Sequence, residues 1–318
     1  MLTPTQGTRL ETLLQQILNG LVLGSVYALV ALGYTMVYGI LQLINFAHGD
    51  VLMVGAMTAM VTVRWVMTTF PDLPGPLVLL AGLAAAIPTC IIVNVLIERI
   101  AYRPLRNAPR LAPLITAIGI SIMLQTMAMI VFGREYHQFP NLLPTDSINV
   151  GGALVTPTQI GILVIAALAM LGLTLLVERT RLGRAMRATA ENPKVAALMG
   201  VNSNHIIVMT FALGAALAAL AGVMLAANYA VTHFYMGFLP GLKAFTAAVL
   251  GGIGNLYGAM LGGLLLGLVE SLGAGYIGDL TGGFLGSHYQ DIFAFIVLIL
   301  VLTIRPSGLM GERVADRA

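Results

Sequence analysis

Charge is scarce in this chain. Only 9% of its 318 residues are Asp, Glu, Lys or Arg, against roughly 25% in soluble globular domains. One cysteine is present, Cys90, so no disulfide can form within the chain and the redox compartment is not legible. Lysine occurs at 194 and 243 only, and neither follows a glycine. A GxxxxGK[ST] phosphate loop is therefore missing, which excludes the usual ATP site. The histidines His48, His137, His205, His233 and His288 show neither HxxxH nor HExxH spacing, so no metal site is argued from them. No Ser/His/Asp constellation stands out either; no catalytic residue is assigned, and a membrane-embedded enzyme is disfavoured. The net charge of +3 is too small for a nucleic-acid footprint.

What is abundant is apolar. The mean hydropathy is +0.92 and 58% of residues are hydrophobic. A water-soluble globule cannot hide that much apolar surface, and a disordered chain shows the opposite bias. The solvent is lipid, and at about 20 residues per span the chain can cross about eight times. Apolar segments at 13–38, 46–67, 77–97, 111–132, 158–177, 206–227, 243–253, 256–272 and 290–304 predict an all-α polytopic membrane protein with about eight to nine transmembrane helices. The three longest connections, 98–110, 133–157 and 178–205, are too short for independent cores, so 1–318 reads as one transmembrane domain. No secretory signal is visible, because the first apolar stretch runs from Leu13 to about Ile44, far beyond an h-region of about 7–15 residues.

Basic residues set the orientation. Loop 98–110 carries Arg99, Arg103, Arg106 and Arg110; loop 178–205 carries Arg179, Arg181, Arg184, Arg187 and Lys194; the tail adds Arg305, Arg313 and Arg317. Loop 133–157 has Arg134 alone and 273–289 has none. The first three are expected in the cytoplasm, C-terminus included, and the last two outside. Between 228 and 289 the chain must then cross an even number of times. Either 243–253 and 256–272 both cross, or they form a re-entrant unit around Gly251–Gly258. If 13–38 and 46–67 both cross, the N-terminus is outside.

Two apolar segments are interrupted, one in each half: YGILQLINFAHGD at 38–50 and AVLGGIGNLYGAML at 248–261. Backbone groups freed at membrane depth need protein or a wet cavity, and paired breaks in a transporter point to a substrate path. Candidate path residues are Tyr34, Tyr38, Asn45, His48, Gly251, Gly252, Gly254 and Asn255; the alternative is two tight turns. Asp50 is either a helix N-cap or part of that path. Gly20, Gly24, Tyr27, Ala31, Tyr34 and Tyr38 share one helical face, which is either a helix–helix seam or a passage lining. Gly214/Ala218/Gly222, Gly258/Gly262 and Gly263/Gly267 read as packing stripes. Glu98–Arg99 and Glu178–Arg179 read as matching interfacial anchors, and Arg64–Trp65 as the mark of the other interface. Glu270 is the one acid well inside an apolar run, thin support for an ion relay.

The segment 181–204 contains a compact helix signal. Asn192 is a good N-cap, Pro193 suits the first helical position and Gly200 suits the left-handed position after the end. Val195, Leu198 and Met199 lie on one face, following Glu191 and Lys194 at the helix start. A helix of two turns is unstable alone. It lies on the membrane or its own bundle, or it docks in a groove of a soluble partner. In 133–157, INV-GG-ALVT signals a hairpin: an outer cap, a contact surface for an external protein, or an ordinary loop.

At these residues the sequence resembles a known family. ILNGLVLGSVYALVALGYTMVYGILQLINFAHGDVLMVGA (17–56) is similar to the opening of permease subunits of bacterial branched-chain amino acid ABC importers, most of all the H-type permease. ERIAYRPLRNAPRL (98–111), RLGRAMRATAENPKVAALMGVN (181–202), KAFTAAVLGGIGNLYGAMLGG (243–263) and RPSGLMG (305–311) match in the same order. Loop 133–157 and the two tails match poorly. The resemblance implies a ribose/vitamin-B12-type importer membrane domain in a bacterial inner membrane. It implies a second homologous permease, two cytoplasmic ATPases that bind ATP and Mg, and a periplasmic binding protein, with no cofactor in this chain. It places the coupling helix at 193–199. Relatives carry urea and short amides, so these stay open as cargo, and an ion-coupled secondary transporter is the rival from another class.

Overall fold

The computed structural model describes residues 4–106, 108–109, 111–144, 146–281 and 290–311. Arg110, Arg313, Arg317 and residues 282–289, with His288 among them, lie outside the described residues.

No proline or charge interrupts the chain after Glu11 until the first break, and α1 runs as a single helix, Pro4–Leu41. At 1.5 Å per residue it is about 57 Å long, well over a hydrocarbon core of about 30 Å. α2 is His48–Thr69 and α3 is Gly75–Ile97. α3 ends where the apolar segment does, but helical backbone continues through a π-helical turn, Glu98–Tyr102, into a short α4, Arg103–Leu105. α5 is Leu111–Phe132. α6, Pro157–Arg179, starts with a capping box in which Thr156 and Gln159 satisfy each other's backbone N–H, the reciprocal arrangement that closes a helix start. Then come α7 (Arg181–Glu191), α8 (Pro193–Leu198) and α9 (Ser203–Tyr229). α10 (Phe238–Gly251), α11 (Leu256–Leu280) and α12 (Gln290–Ile304) complete the helices. Among the described residues seven are long and apolar enough to cross a membrane, and α10 and α12 are shorter apolar helices. With those two included, the count roughly fits the eight or nine expected.

Strand pairing is confined to the loops. β1 (His137–Gln138) pairs antiparallel with β4 (Val231–Thr232), and β2 (Ile148–Val150) with β3 (Ala153–Val155). The second pair is the expected hairpin. Gly151 and Gly152 turn it with φ of 63° and 97°, the left-handed pair a two-residue turn requires.

Side-chain bonds fix the ends of the bundle. At one face Tyr257 donates to Glu178, Arg106 donates to Asn204, and the backbone N–H of Leu309 and Met310 donate to Leu250 O and Gly251 O. This basic face carries α7, α8 and residues 305–311. At the opposite face Arg64 donates to Gln138 O, and Gln15 both donates to and accepts from the backbone of Leu154. Trp65 is exposed there. From β4 the chain runs inward without helix to Gly237, whose space is bounded by Gly49 at the start of α2. α10 continues to the basic face, where residues 252–255 turn back into α11. At about 21 Å, α10 is a half-helix. α10 is a shorter apolar helix and α11 is long enough to cross a membrane.

α1 is the hub, packed against α11, α9, α10 and α6. Its small-residue stripe is a seam. A Cβ on Gly24 would lie 2.8 Å from the Leu264 Cα, and one on Gly267 would overlap the Gly24 backbone. Such glycines let two backbones approach, the main source of helix association where lipid offers no hydrophobic drive. The other predicted stripes are packing too: Gly222 abuts Leu52 O, and Gly262 abuts Ala247 O.

Candidate functional site

α8 is built as its sequence dictates. The Asn192 side chain accepts from the N–H of Lys194 at 3.0 Å and Val195 at 3.1 Å, the N-cap role. Pro193 opens the helix and Gly200 follows it with φ of 85°. Ser203 Oγ donates to Pro193 O at 3.0 Å, tying the start of α9 to the start of α8. Ala196 is buried against the bundle. The apolar trio points away from it: Leu198 is 86% exposed, Met199 80% and Val195 52%. Of the alternatives for this helix, resting the trio on its own bundle is not what the fold does. Glu191 closes α7, a helix the sequence reading missed. Its signal was present: Thr180 caps it, accepting from Gly183 N–H, and Leu182, Ala185 and Met186 follow i, i+3, i+4.

The first break is irregular from Gln42 to Ala47. Gln42 takes φ of 54°, a left-handed conformation that non-glycine residues rarely adopt. The Asn45 side chain is satisfied inside the protein. Asn45 donates to Asn94 Oδ1 and accepts from Tyr102 at 3.1 Å, and Asn94 donates to Phe211 O at 2.8 Å. Asn45 thus pins the break to α3, the π-helical turn and α9. Asp50 is not an N-cap. Ala47 holds that position without a side-chain bond, and the Asp50 carboxylate accepts from Gln125 Nε2 on α5 at 2.9 Å. Helix geometry places Asp50 two residues beyond His48, inside the first turn.

His48 is fully buried. Neither ring nitrogen has a hydrogen-bond partner among the described residues. Its ring packs edge-on to Tyr34, centroids 5.0 Å apart, and Tyr34 in turn meets Phe245. Tyr38 is half-buried near the end of α1.

The second break is a closed turn. Gly252 and Gly254 have φ of 106° and 100°. Asn255 caps α11 by accepting from Gly258 N–H at 2.9 Å, and donates to Met310 O at 3.0 Å. Gly251 packs directly on the Gly258 carbonyl. The N–H of Asn255 donates to Gly252 O, and Leu250 O and Gly251 O accept from the N–H of Leu309 and Met310. The candidate path residues therefore fall into three places: Tyr34 with His48 in the interior, Asn45 in its own network, and Gly251–Asn255 at the basic face. Gly254 and Asn255 line an open cleft of about 450 Å³ there, with Thr35, Gly39, Glu178 and Tyr257.

Two ionic groups escaped the sequence reading. Glu98 is no exposed anchor: it is fully buried at the π-helical turn and paired with Arg106. Glu178, in the matching LVER, is exposed and accepts from Tyr257 at 2.6 Å. The second group surrounds Glu270. Lys243 on α10 lies 2.5 Å from Glu270 Oε1 and 2.6 Å from Asp291 Oδ1. Tyr27 donates to Glu270 Oε2 at 3.0 Å. Lys243 and Glu270 are buried, and buried charges persist only when paired. The usable signal was Lys243, a lysine inside an apolar run. Among the described residues no three His, Cys, Asp or Glu side chains are placed to hold a metal ion.

A family model described as branched-chain amino acid transport system / permease component matches residues 16–302. The chain is 50% identical to the high-affinity branched-chain amino acid transport system permease protein BraD of Pseudomonas aeruginosa, covering 94% of this chain and 96% of that one. It is 46% identical to the corresponding LivH protein of Escherichia coli K12, over 94% and 96%. A more distant likeness, 31% identity over 49% of this chain and 47% of the other, is to the ribose import permease protein RbsC of Escherichia coli K12.

Proposed function

The chain belongs to the family of branched-chain amino acid transport system permease components, and from that premise we propose how it works. It is a non-catalytic subunit of an ATP-binding-cassette importer that moves leucine, isoleucine and valine inward across the bacterial inner membrane. Residues 1–318 act as one transmembrane domain, and the basic face, with residues 178–205 and the C-terminus, is cytoplasmic. It works beside a second homologous permease, two cytoplasmic ATPases that bind the ATP and Mg, and a periplasmic binding protein at the opposite face.

The observation that carries the coupling role is the capped helix α8, whose Val195, Leu198 and Met199 face outward from the bundle. An apolar face held out in water costs free energy unless something covers it, and a helix face in a groove is a recurrent way to cover one. The ATPases supply that groove. Closure on ATP displaces Glu191–Gly200, and the bundle reorients because ATP binds one arrangement more tightly than the other. The solute passes along a surface near the two breaks, where Tyr34, Tyr38, Asn45, His48, Gly251, Gly252, Gly254 and Asn255 position the backbone.

The test is the double substitution Leu198→Asp, Met199→Asp in the complete importer reconstituted in liposomes. Leucine uptake and the ATP hydrolysis that responds to leucine-loaded binding protein should be lost together. Loss of uptake with assembly and ATPase response untouched would remove the coupling role. Uptake of urea in preference to leucine would change the cargo, and uphill leucine accumulation by this chain alone would overturn the class.

A further inference from the structure

At the face read above as periplasmic, α1, α6, α9 and α11 enclose a cavity of about 320 Å³, within the lower range for small-ligand sites. Four amides line it, Gln16, Asn19, Gln159 and Asn228, and Glu270 and Ser271 form one wall. We propose that this cavity is a holding site within the permease for the zwitterionic amino acid, its ammonium against Glu270 and its carboxylate against the amide rim. The proposal rests on the amino-acid reading of the transport function and adds a place for the solute after the binding protein releases it.

Charge is the first argument. Lys243 is shared by Glu270 and Asp291, so the cluster behind the cavity holds one positive and two negative charges. The uncompensated negative charge favours a cationic group. Acceptor capacity is the second. Glu270 receives Lys243 on one oxygen and Tyr27 on the other. An ionised carboxylate has about four acceptor positions, so about two are left after these donors on a residue that lines the cavity. The rim is the third. Among the described residues the Asn228 side chain has no hydrogen-bond partner, and amide NH2 groups can donate to a carboxylate. Val22, Leu23 and Ala274 give the same cavity an apolar side, suited to an aliphatic chain. Urea or a sugar would use the amides and leave the excess charge unmatched.

Cys90, the chain's one cysteine, is fully buried, so a cysteine introduced by Ala274→Cys is the reactive thiol in this chain. In the assembled importer, cationic 2-aminoethyl methanethiosulfonate should label it faster than the anionic 2-sulfonatoethyl reagent. Leucine should slow both. Adding Glu270→Gln should remove the preference and the protection, and lower leucine uptake on the order of thirtyfold or more, the usual scale for truncating a buried charge partner. The ATPase response to leucine-loaded binding protein should persist, because docking lies elsewhere. Protection by leucine without any uptake would keep the cavity and sink the transport reading. Normal uptake in Glu270→Gln, or uptake with no protection of the thiol, would overturn the cavity. If Glu270→Gln fails to assemble, Asn228→Leu fills the rim without touching the ion cluster, and normal uptake with normal protection in that variant would overturn it equally.

Discussion

The imidazole of His48 fills the space that a side chain on Gly33 would need. A Cβ built on Gly33 overlaps His48 Nε2, and Gly214 lies beside Gly33 at the same edge of the ring, its own Cβ position 3.5 Å from His48 Cε1 and 3.6 Å from Gly33 Cα. Three helices, α1, α2 and α9, thus meet around one ring. Gly33→Ala should destabilise the folded protein by about 1–3 kcal/mol, the usual cost of overpacking. His48→Ala alone should also destabilise, by opening a cavity. Combined, they should cost less than their sum, since neighbouring sites couple. Thermal unfolding of the four proteins in nanodiscs closes the cycle, and strict additivity would refute the contact.

Glu98 and Glu178 make a matched comparison. Arg106→Leu leaves a fully buried carboxylate without its cation, a loss of about 3–5 kcal/mol. Glu178→Ala removes an exposed acceptor and should cost less than about 1 kcal/mol. Denaturant titration of helix content in detergent should separate the two variants clearly. Equal stability would mean that Glu98 is not buried as described.

Asn94→Leu should unpin the first break. Phe211 O keeps its helical partner within α9, but the substitution strands the Asn45 amide NH2 in the interior, a penalty of about 1–3 kcal/mol. Limited proteolysis is the direct readout: cleavage near Gln42–Ala47 should accelerate in the variant, and an unchanged digestion pattern would argue against the pinning role.

Asn192→Ala should weaken α8 by about 1 kcal/mol through loss of the cap. Gly200→Ala should cost about 1–2 kcal/mol, since alanine is strained in the left-handed region. Neither changes the exposed apolar trio, so both should lower transport partially where the double aspartate variant abolishes it. Uptake rates in liposomes rank the four proteins. A null effect of both would show that the helix needs no local support.

Much of this was legible beforehand because the signals are local. Asn192, Pro193 and Gly200 each fix a backbone position by their own chemistry. The pair Gly151–Gly152 does the same for the hairpin, and Gly20 with Gly24 marks a face by spacing alone. The misses share a physical cause: they depend on partners distant in sequence. Whether Glu98 is an anchor or a buried ion depends on where Arg106 folds back, eight residues on and around a π-helical turn. Lys243, Glu270 and Asp291 stand on three helices, and no periodicity in any one of them announces the others. Asp50 has good capping chemistry, but the helix starts earlier and Gln125 claims the carboxylate. The break at 248–261 had the right composition for an interruption, but composition cannot say that residues 308–311 would fill it.

The filling of that break has a consequence for biogenesis. Leu250 O and Gly251 O receive their hydrogen bonds from Leu309 and Met310, backbone that the ribosome makes 59 residues later. Until then the half-helix is open-ended, whatever the earlier segments have done in the translocon. The buckle of the late turn is therefore one of the final steps of assembly, and a nascent chain stalled before residue 309 carries an unfinished joint.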